Sequence, residues 1–500
     1  MWDRGCYGAV GLVFKPCITP TQGAPVHSAD ARDQPLRSAP TPRPAAGAEA
    51  HAGRTLALVC TCTVLVLAAF VTPLATGIRT AETLGTGPVG QAWLLSSMSV
   101  GLAAALLVAG VAADSLGRRR VFTAGLGLLA AGSVVSGVAG STAVFVVGRL
   151  VEGVGGAAVL AATLGLISQT VPAGPGRSRA TAVWGASVGA GTGIGGLSTV
   201  VLDPGSGWRT MYLVTAGLAV AGALVAGPLL PAPERRSHRR VDVAGSVLLV
   251  GALAALLTGL VETRAPGGSG LVVLFLVLAA VLFAGFLIAE SRVRAPLVDL
   301  ALFRVPGFVA AGAGALVTGA AVVGLMSLLP TVLQRGLGES LLSATVLVFV
   351  WSAVSTATAL AVRWIPGLDG QTLLVLALAV SAVGLAALAV LGTGASGVRF
   401  LPGLLVLGIG YGAANAALGR EAVAHVPLAQ AGMGSGANNT ARYVGAAIGV
   451  TLVVLVVGRG SPAGAAAGVA GWNSAALGAA GVSAAGALAV RLVRPGRPRG

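Results

Sequence analysis

Fourteen apolar stretches, separated by short polar gaps, fill the sequence from Thr55 to Val490. Each is close to the length of about 20 residues that an α-helix needs to cross a hydrocarbon core. Only 10% of the 500 residues are charged, whereas a soluble domain carries about 25%. The sequence therefore predicts an all-α polytopic protein whose main partner is the lipid bilayer. The predicted spans are residues 55–78, 90–113, 121–140, 142–171, 180–202, 209–230, 243–261, 271–289, 308–330, 341–362, 371–391, 400–419, 436–458 and 472–490.

The basic residues alternate between the two sides of such a membrane. If the N-terminus is cytoplasmic, 24 of the 32 Lys and Arg residues fall in cytoplasmic segments and six in external ones. Cytoplasmic loops of membrane proteins carry this excess of positive charge. We therefore expect a multi-pass protein of a bacterial plasma membrane with both termini in the cytoplasm. Residues 1–54 are predicted to form a disordered tail and residues 491–500 a basic tail. The net charge of +16 is spread over loops, so no nucleic-acid partner is expected.

Several kinds of chemistry lack the residues that they need. A phosphate-binding Walker loop ends in Gly-Lys-Ser or Gly-Lys-Thr, but the single lysine, Lys15, precedes Pro16 and follows no such loop. The four histidines and four cysteines give no strong metal-ligand spacing, so we expect neither a metal nor a cofactor. A membrane-embedded enzyme is a remote alternative. A channel is disfavoured because no repeated filter motif is present.

The gap between the second and third spans reads GVAADSLGRRR, residues 110–120. Three arginines would hold this loop in the cytoplasm, but that role explains neither Asp114 nor the glycines at 110 and 117. A carboxylate is favourable at a helix N-terminus, and such a contact is easily exchanged. Gly117 permits a tight turn. The candidate functional residues of this loop are Gly110, Asp114, Gly117, Arg118, Arg119 and Arg120.

The fourth span contains two charged residues in the sequence GRLVEGVGGAA, residues 148–158. Counted from Thr142 at about 1.5 Å per residue, Arg149 lies about 10 Å deep and Glu152 about 15 Å. Glu152 is then near the middle of a hydrocarbon core about 30 Å thick. A charge there costs at least about 2.5 kcal/mol, so it needs a partner or a wet cavity. Arg149 can pair with Glu152 because the two are three residues apart on one helix face.

These two stretches, and a third in the fifth span, resemble signatures of one transporter family, the major facilitator superfamily. The spacing G-x-x-x-D-x-x-G-R-R-R resembles its loop between spans 2 and 3. This resemblance implies that the loop is a cytoplasmic gate, in which Asp114 holds that side shut by pairing with a helix end of the other half. Residues 149–155 resemble its span-4 pattern R-x-x-Q-G-x-G, with Glu152 where Gln is usual. Residues 187–196, SVGAGTGIGG, resemble its antiporter signature G-x-x-x-G-P-x-x-G-G. In that third stretch three glycines match, whereas the first Gly and the Pro are replaced; the positions are Ser187, Gly191, Thr192, Gly195 and Gly196.

Later stretches narrow the resemblance to the fourteen-span drug/proton antiporters. Residues 242–262 resemble their extra seventh span, residues 290–308 their connector after span 8, and residues 438–449 the start of their span 13. The resemblance implies two six-helix bundles, over residues 55–230 and 307–490. A linker over residues 231–306 would supply two inserted helices. The second copy of the gate loop, residues 361–370, keeps Arg363 and Gly367 but no clear gate aspartate.

The resemblance also implies a mechanism. It predicts a monomeric, proton-coupled transporter that exports small amphiphilic molecules by alternating access. Glu152, beside Arg149, would carry the proton at the seam between the two bundles; a static ion pair is the alternative. Thr192 in place of proline weakens the antiporter signature, so plain small-residue packing is an almost equal interpretation there. An importer or facilitator on the same fold therefore remains an alternative.

Buried acid is scarce in this sequence, and the first span holds no carboxylate. A neutral, zwitterionic or weakly anionic amphiphile therefore suits the transporter better than a dication. Aromatic and polar residues of several spans are candidates for the cavity wall or for the cytoplasmic helix ends. They are Trp93, Trp184, Trp351, Tyr411, Asn415, Asn439 and Arg442.

Overall fold

The computed structural model describes residues 46–172, 174–231, 242–263, 269–293, 296–297, 300–365, 368–389, 396–458 and 465–493. Fourteen long helices contain most of these residues, and the described part of the chain has no β-strand. They are α1 (Ala46–Thr83), α2 (Pro88–Leu116), α3 (Arg118–Gly137), α4 (Thr142–Thr170), α5 (Pro175–Ser206), α6 (Trp208–Leu229), α7 (Val243–Glu262), α8 (Ser269–Arg292), α9 (Pro306–Gln334), α10 (Leu341–Ala361), α11 (Gly370–Ala387), α12 (Leu401–Ala424), α13 (Ala431–Gly458) and α14 (Ala465–Leu492).

The fourteen helices confirm the predicted all-α membrane fold. Thirteen of them are long and apolar enough to cross a bilayer. The other is α5, which has 32 residues but is less apolar because glycine and short polar side chains fill it. The first helix begins at Ala46, nine residues before the predicted span, because an alanine-rich segment continues the helix beyond the apolar stretch. The preceding tail, residues 1–45, lies outside the described residues.

Glycines bring neighbouring helices to backbone contact. A Cβ atom at Gly101 of α2 would lie 2.3 Å from the carbonyl oxygen of Leu150 on α4. One at Gly384 of α11 would lie 2.5 Å from the backbone nitrogen of Leu407 on α12. In lipid the hydrophobic effect does not bring helices together as it does in water, so their association depends on such close packing. One cluster of buried side chains joins helices of the set α1–α6 and also includes residues of α7, α12 and α13. Two other clusters join helices of the set α9–α14.

The inserted helices α7 and α8 pack on each other, and α7 also packs on α2 and α13. The indole nitrogen of Trp93 on α2 donates to the Glu262 carboxylate at 2.9 Å. The Thr451 hydroxyl of α13 donates to the carbonyl oxygen of Leu260 at 3.2 Å. The inserted hairpin is therefore bonded to helices of both bundles.

The first six and last six long helices meet along two seams, where α2 packs on α13 and α5 packs on α10 and α12. The helix α9 is irregular: Thr318–Val323 and Val332–Gly336 are wound as π-helix. Such bulges often occur at functional sites. We call the end of the molecule at which α2 ends and α3 begins the α2–α3 end.

Candidate functional site

Asp114 caps a helix of the other bundle. Its carboxylate oxygens accept hydrogen bonds from the backbone amides of Gly432 at 3.0 Å and Met433 at 2.8 Å. Both amides belong to the first turn of α13, where backbone N–H groups lack helical partners and the helix dipole favours negative charge. The Arg118 guanidinium lies 3.3 Å from the same carboxylate and also donates to the Gly165 carbonyl at 2.8 Å. Asp114 thus joins the two bundles at the α2–α3 end.

The glycines of the loop motif make this contact possible. A Cβ at Gly110 would lie 2.2 Å from the carbonyl oxygen of Gly432, so α2 and α13 touch backbone to backbone. Gly117 ends α2 and begins α3 with a φ of +103°, a conformation that side-chain-bearing residues rarely adopt. Arg119 is half-buried and Arg120 is exposed. Of the three arginines, Arg118 therefore belongs to the closed contact.

The described residues of the related loop in the second bundle form no such bridge. Its aspartate, Asp369, is the N-cap of α11 and accepts hydrogen bonds from the side chain and the amide of Thr372 at 2.6 and 2.8 Å. These bonds hold the pKa of the Asp369 carboxyl below its usual range. Arg363 stacks over Trp364 at 4.4 Å, and Gly367 lies outside the described residues. Asp369 therefore caps its own helix instead of the other bundle.

Arg149 and Glu152 form an ion pair in which both side chains are fully buried. The guanidinium also donates to the carbonyl oxygen of Ala69 on α1 at 3.0 Å and lies over the Tyr212 ring at 5.7 Å. The second carboxylate oxygen of Glu152, Oε1, makes no hydrogen bond of regular geometry within the described residues, although the Ser133 and Ser136 hydroxyls of α3 lie beside the carboxylate. A buried oxygen without a regular hydrogen bond is costly as part of a charged group. It is also a free position for a proton.

Proline explains the Ala69 contact. In a helix the amide of residue 73 would bond to the carbonyl of residue 69, but Pro73 has no N–H. The Ala69 carbonyl is therefore available to Arg149.

The expected position of Glu152 at the seam of the two bundles differs from the one observed. The carboxylate lies inside the first bundle, packed against Gly132 of α3, because glycine leaves room for it there.

A cavity of about 990 Å³, including its mouth, lies between the two bundles. It is bordered by α1, α5, α9, α10, α12 and α13. Its wall is formed by the middles of these helices and by the halves of α1, α9 and α10 that lie away from the α2–α3 end. The aromatic residues Phe70, Trp351, Tyr411 and Tyr443 supply part of the wall, which is mainly apolar. The cavity and the Asp114 contact are therefore at different depths.

The α1 helix connects the buried ion pair with the cavity. The Ala69 carbonyl binds Arg149, whereas the next residue, Phe70, faces the cavity. The Phe70 ring contacts the Tyr443 ring of α13 edge to face, with centroids 5.6 Å apart. The ion pair and the cavity wall are thus connected through one helix that contains a proline.

The residues of the predicted α5 motif lie on two faces of the helix. Gly191 and Gly195 lie against α1, where a Cβ would come within 2.6 Å of Leu67 or Ala68. Gly196 and Thr192 line the cavity on another face. The Thr192 hydroxyl lies 2.7 Å from the Ser352 hydroxyl of α10, so the residue that replaces the family proline links the two bundles. The remaining motif residue, Ser187, donates to the Trp184 carbonyl within α5.

The other predicted residues divide between the cavity and the protein interior. Trp351, Tyr411 and Arg442 line the cavity, and Asn415 accepts a hydrogen bond from Arg442 at 3.2 Å. Three of these candidates for the cavity wall or the cytoplasmic helix ends are not part of the cavity wall: Trp93 binds Glu262, Trp184 packs on Gly419, and Asn439 bonds to Ser435 within α13.

Sequence reasoning missed Phe70 and Tyr443, which line the cavity. Phe70 lies three residues before the helix-breaking Pro73 and Tyr443 follows Arg442; these neighbours were the available signals. Two buried carboxylates, Glu262 and Glu290, were also missed. They lie near the C-terminal ends of α7 and α8, where sequence hydropathy cannot distinguish a buried helix end from a wet loop.

The family model of the Major Facilitator Superfamily matches residues 56–450. The chain belongs to this superfamily. The puromycin resistance protein of Streptomyces alboniger is 32% identical to this transporter over 384 residues, which cover 74% of this chain and 75% of that protein. The cephamycin export protein of Amycolatopsis lactamdurans is 30% identical over 396 residues, or 76% and 79% of the two chains.

A further relative is the multidrug resistance protein Stp of Mycobacterium tuberculosis, which is 30% identical over 74% of this chain and 70% of its own length. Among solved structures, a human organic anion transporter superposes with a TM-score of 0.63 at 18% identity, covering 86% of this chain and 99% of its own. A proton:xylose symporter gives a TM-score of 0.62 at 12% identity, with coverages of 86% and 95%. The protein is therefore a multi-pass membrane transporter of the drug-efflux branch, not an enzyme.

Proposed function

We propose that this transporter exports small amphiphilic molecules across the bacterial plasma membrane in exchange for protons. The three relatives described above are named as a puromycin resistance protein, a multidrug resistance protein and a cephamycin export protein. A largely apolar cavity between two bundles suits an amphiphile. The proposal takes the protein as a monomer with both termini in the cytoplasm.

With that orientation, the α2–α3 end is cytoplasmic. The Asp114 contact then closes the cytoplasmic side, and the cavity opens toward the outside. This is the outward-open state of an alternating-access cycle, in which the bundles rock about a central site. Exchange of the Asp114 contact would open the opposite side, because the two amides of α13 can be left to water when the bundles separate.

The buried ion pair is the observation that carries the proton-coupling proposal. Glu152 is fully buried, and one of its carboxylate oxygens makes no hydrogen bond of regular geometry among the described residues. A proton at that oxygen would remove the charge that holds Arg149. The guanidinium would then be held only by its hydrogen bonds to carbonyl oxygens of α1, and α1 would bend about Pro73 as the guanidinium moves away from Glu152. One proton that crosses 100 mV supplies about 2.3 kcal/mol, enough for about a fifty-fold concentration ratio.

The test uses inside-out vesicles whose lumen has been made acidic, with the neutral fluorescent amphiphile dansylaminoundecanamide as probe. The wild-type exporter should accumulate the probe in the lumen, whereas Glu152→Gln should only equilibrate it. Glu262→Gln is the matched control, since that carboxylate is also buried but lies on α7, and it should accumulate normally. Accumulation by Glu152→Gln at the wild-type rate would contradict the coupling role.

Import remains a second candidate because of Thr192. The proline that kinks this helix in the antiporter signature is absent, and the hydroxyl instead links α5 to α10. The same vesicles distinguish the two directions. A proton-coupled importer would deplete the probe from an acidic lumen, because probe and proton would leave together.

A further inference from the structure

Arg442 carries the only charge among the described residues that line the cavity. It is 4% exposed, and none of the ion pairs among the described residues includes it. By contrast, the other buried arginine, Arg149, is neutralised by Glu152. A buried cation without a counter-charge is unfavourable in a membrane interior. The charge at Arg442 therefore points to a partner that the chain itself does not supply.

The hydrogen bonds of the guanidinium leave one buried edge without a partner among the described residues. Nη1 donates to the Asn415 side-chain oxygen at 3.2 Å. Nε and Nη2 have no partner among the described residues. These two nitrogens share one edge of the planar group, and their N–H bonds run parallel, so they can bind both oxygens of a carboxylate at once.

The other polar groups of the cavity reinforce this preference. Trp351 lines the cavity, and its buried indole nitrogen is a second donor without a partner among the described residues. The hydroxyls of Thr192, Ser327 and Thr345 can each donate or accept. No Asp or Glu is present among the described lining residues. The cavity therefore offers unpaired donors and no anionic group to balance a cationic ligand.

We infer that the transported molecules are anionic amphiphiles, and that Arg442 binds their carboxylate or an equivalent pair of anionic oxygens. Trp351 would donate to the same group, while the apolar body packs on Phe70, Leu74 and Met326. This inference deepens the proposed function, since it assumes that the cavity is the transport site. A lipophilic cation is disfavoured because it would place a second positive charge beside an unpaired one.

The binding test uses the purified full-length protein in detergent and three dansylated amphiphiles of one chain length. Their end groups are a carboxylate, a carboxamide and a trimethylammonium, and dansyl fluorescence reports binding. Wild type should bind the carboxylate most tightly. Arg442→Gln should weaken carboxylate binding about ten- to a hundredfold, the usual effect of losing a charge-assisted hydrogen bond, and should change carboxamide binding less than about threefold. Arg442→Lys should retain part of the preference, because lysine keeps the charge without the bidentate edge.

Arg420→Gln is the matched control. This arginine lies on α12 beside Glu421, outside the lining of the cavity, and its loss should leave all three affinities unchanged. Equal affinities of the wild type for the carboxylate and the carboxamide would overturn the inference, as would a preference for the ammonium. This comparison needs no variant, so it remains decisive even if Arg442→Gln does not fold.

Vesicle transport separates this inference from the proposed function. If the carboxylate binds through Arg442 but wild type accumulates neither the carboxylate nor the carboxamide under the proton gradient, the exporter proposal fails and the anion site stands. If the carboxamide is accumulated normally but end-group charge and Arg442→Gln do not affect binding, the exporter proposal stands and the anion site is refuted.

Discussion

Replacing Asp114 by asparagine should open the α2–α3 end of the transporter. The Asp114 carboxylate accepts two backbone hydrogen bonds from α13 and lies beside Arg118. Hydrogen bonds to a charged group contribute about 1.5–3 kcal/mol each, against about 1 kcal/mol for neutral ones. Asparagine keeps one acceptor oxygen and no charge, so the closed state should lose about 2–4 kcal/mol. That loss shifts the equilibrium between closed and open states about thirty- to a thousandfold.

Pulsed electron spin resonance measures this shift directly. Spin labels at exposed positions Arg179 and Ala424 report the separation of α5 and α12 at the α2–α3 end, after the native cysteines are replaced. The wild type should give one short distance, and Asp114→Asn should populate a longer one.

Asp369→Asn is the matched control for this experiment. It removes a carboxylate that caps α11 within its own bundle, so the short distance should persist. If Asp114→Asn leaves the distance distribution unchanged, or if Asp369→Asn shifts it equally, the helix-capping account of the gate is refuted.

Two further predictions concern α1 and the loop before α10. Pro73→Ala restores an amide that can bond to the Ala69 carbonyl in competition with Arg149. Proton-driven accumulation in vesicles should therefore fall about tenfold, whereas the affinity for the probe should be retained. Unchanged accumulation would contradict the role of Pro73 as a hinge. Bonds from a neighbouring serine and from the Gly397 amide lower the pKa of the Glu339 carboxyl. This contact should therefore hold above the ordinary Glu pKa and weaken only as pH falls through the lowered value. Deuterium exchange at Gly397 should accelerate at that lower pH in wild type but be independent of pH, after correction for intrinsic exchange, in Glu339→Gln.

The helices could be predicted from sequence because hydropathy and length are local properties. Even α5, whose glycines lower its hydropathy, lies close to its predicted range. The family resemblance of the loop also singled out Asp114, which the structure places against the first turn of α13; its role in a gate stays a prediction. Its partners could not be predicted, because Gly432 and Met433 lie more than three hundred residues away and contribute only backbone amides.

The orientation of side chains around each helix was less predictable. In an all-apolar helix no polar face marks the cavity, so Trp93 and Trp184 could not be distinguished from Trp351. The position of Glu152 behind α1 depends on space left by Gly132, which is a property of two packed helices. The role of Pro73 likewise becomes visible only when Arg149 is found at the carbonyl that the proline leaves unbonded.

The central claim is that Glu152 takes up the driving proton while Arg149 holds the hinge of α1. Infrared difference spectroscopy of the purified transporter during a pH titration tests it most directly, because a protonated carboxylic acid has its own C=O stretching band. A buried acid band should appear as pH is lowered across the range that drives transport. It should be absent in Glu152→Gln and present in Asp114→Asn. A band that survives Glu152→Gln unchanged, or the absence of such a band in the wild type, would contradict the account.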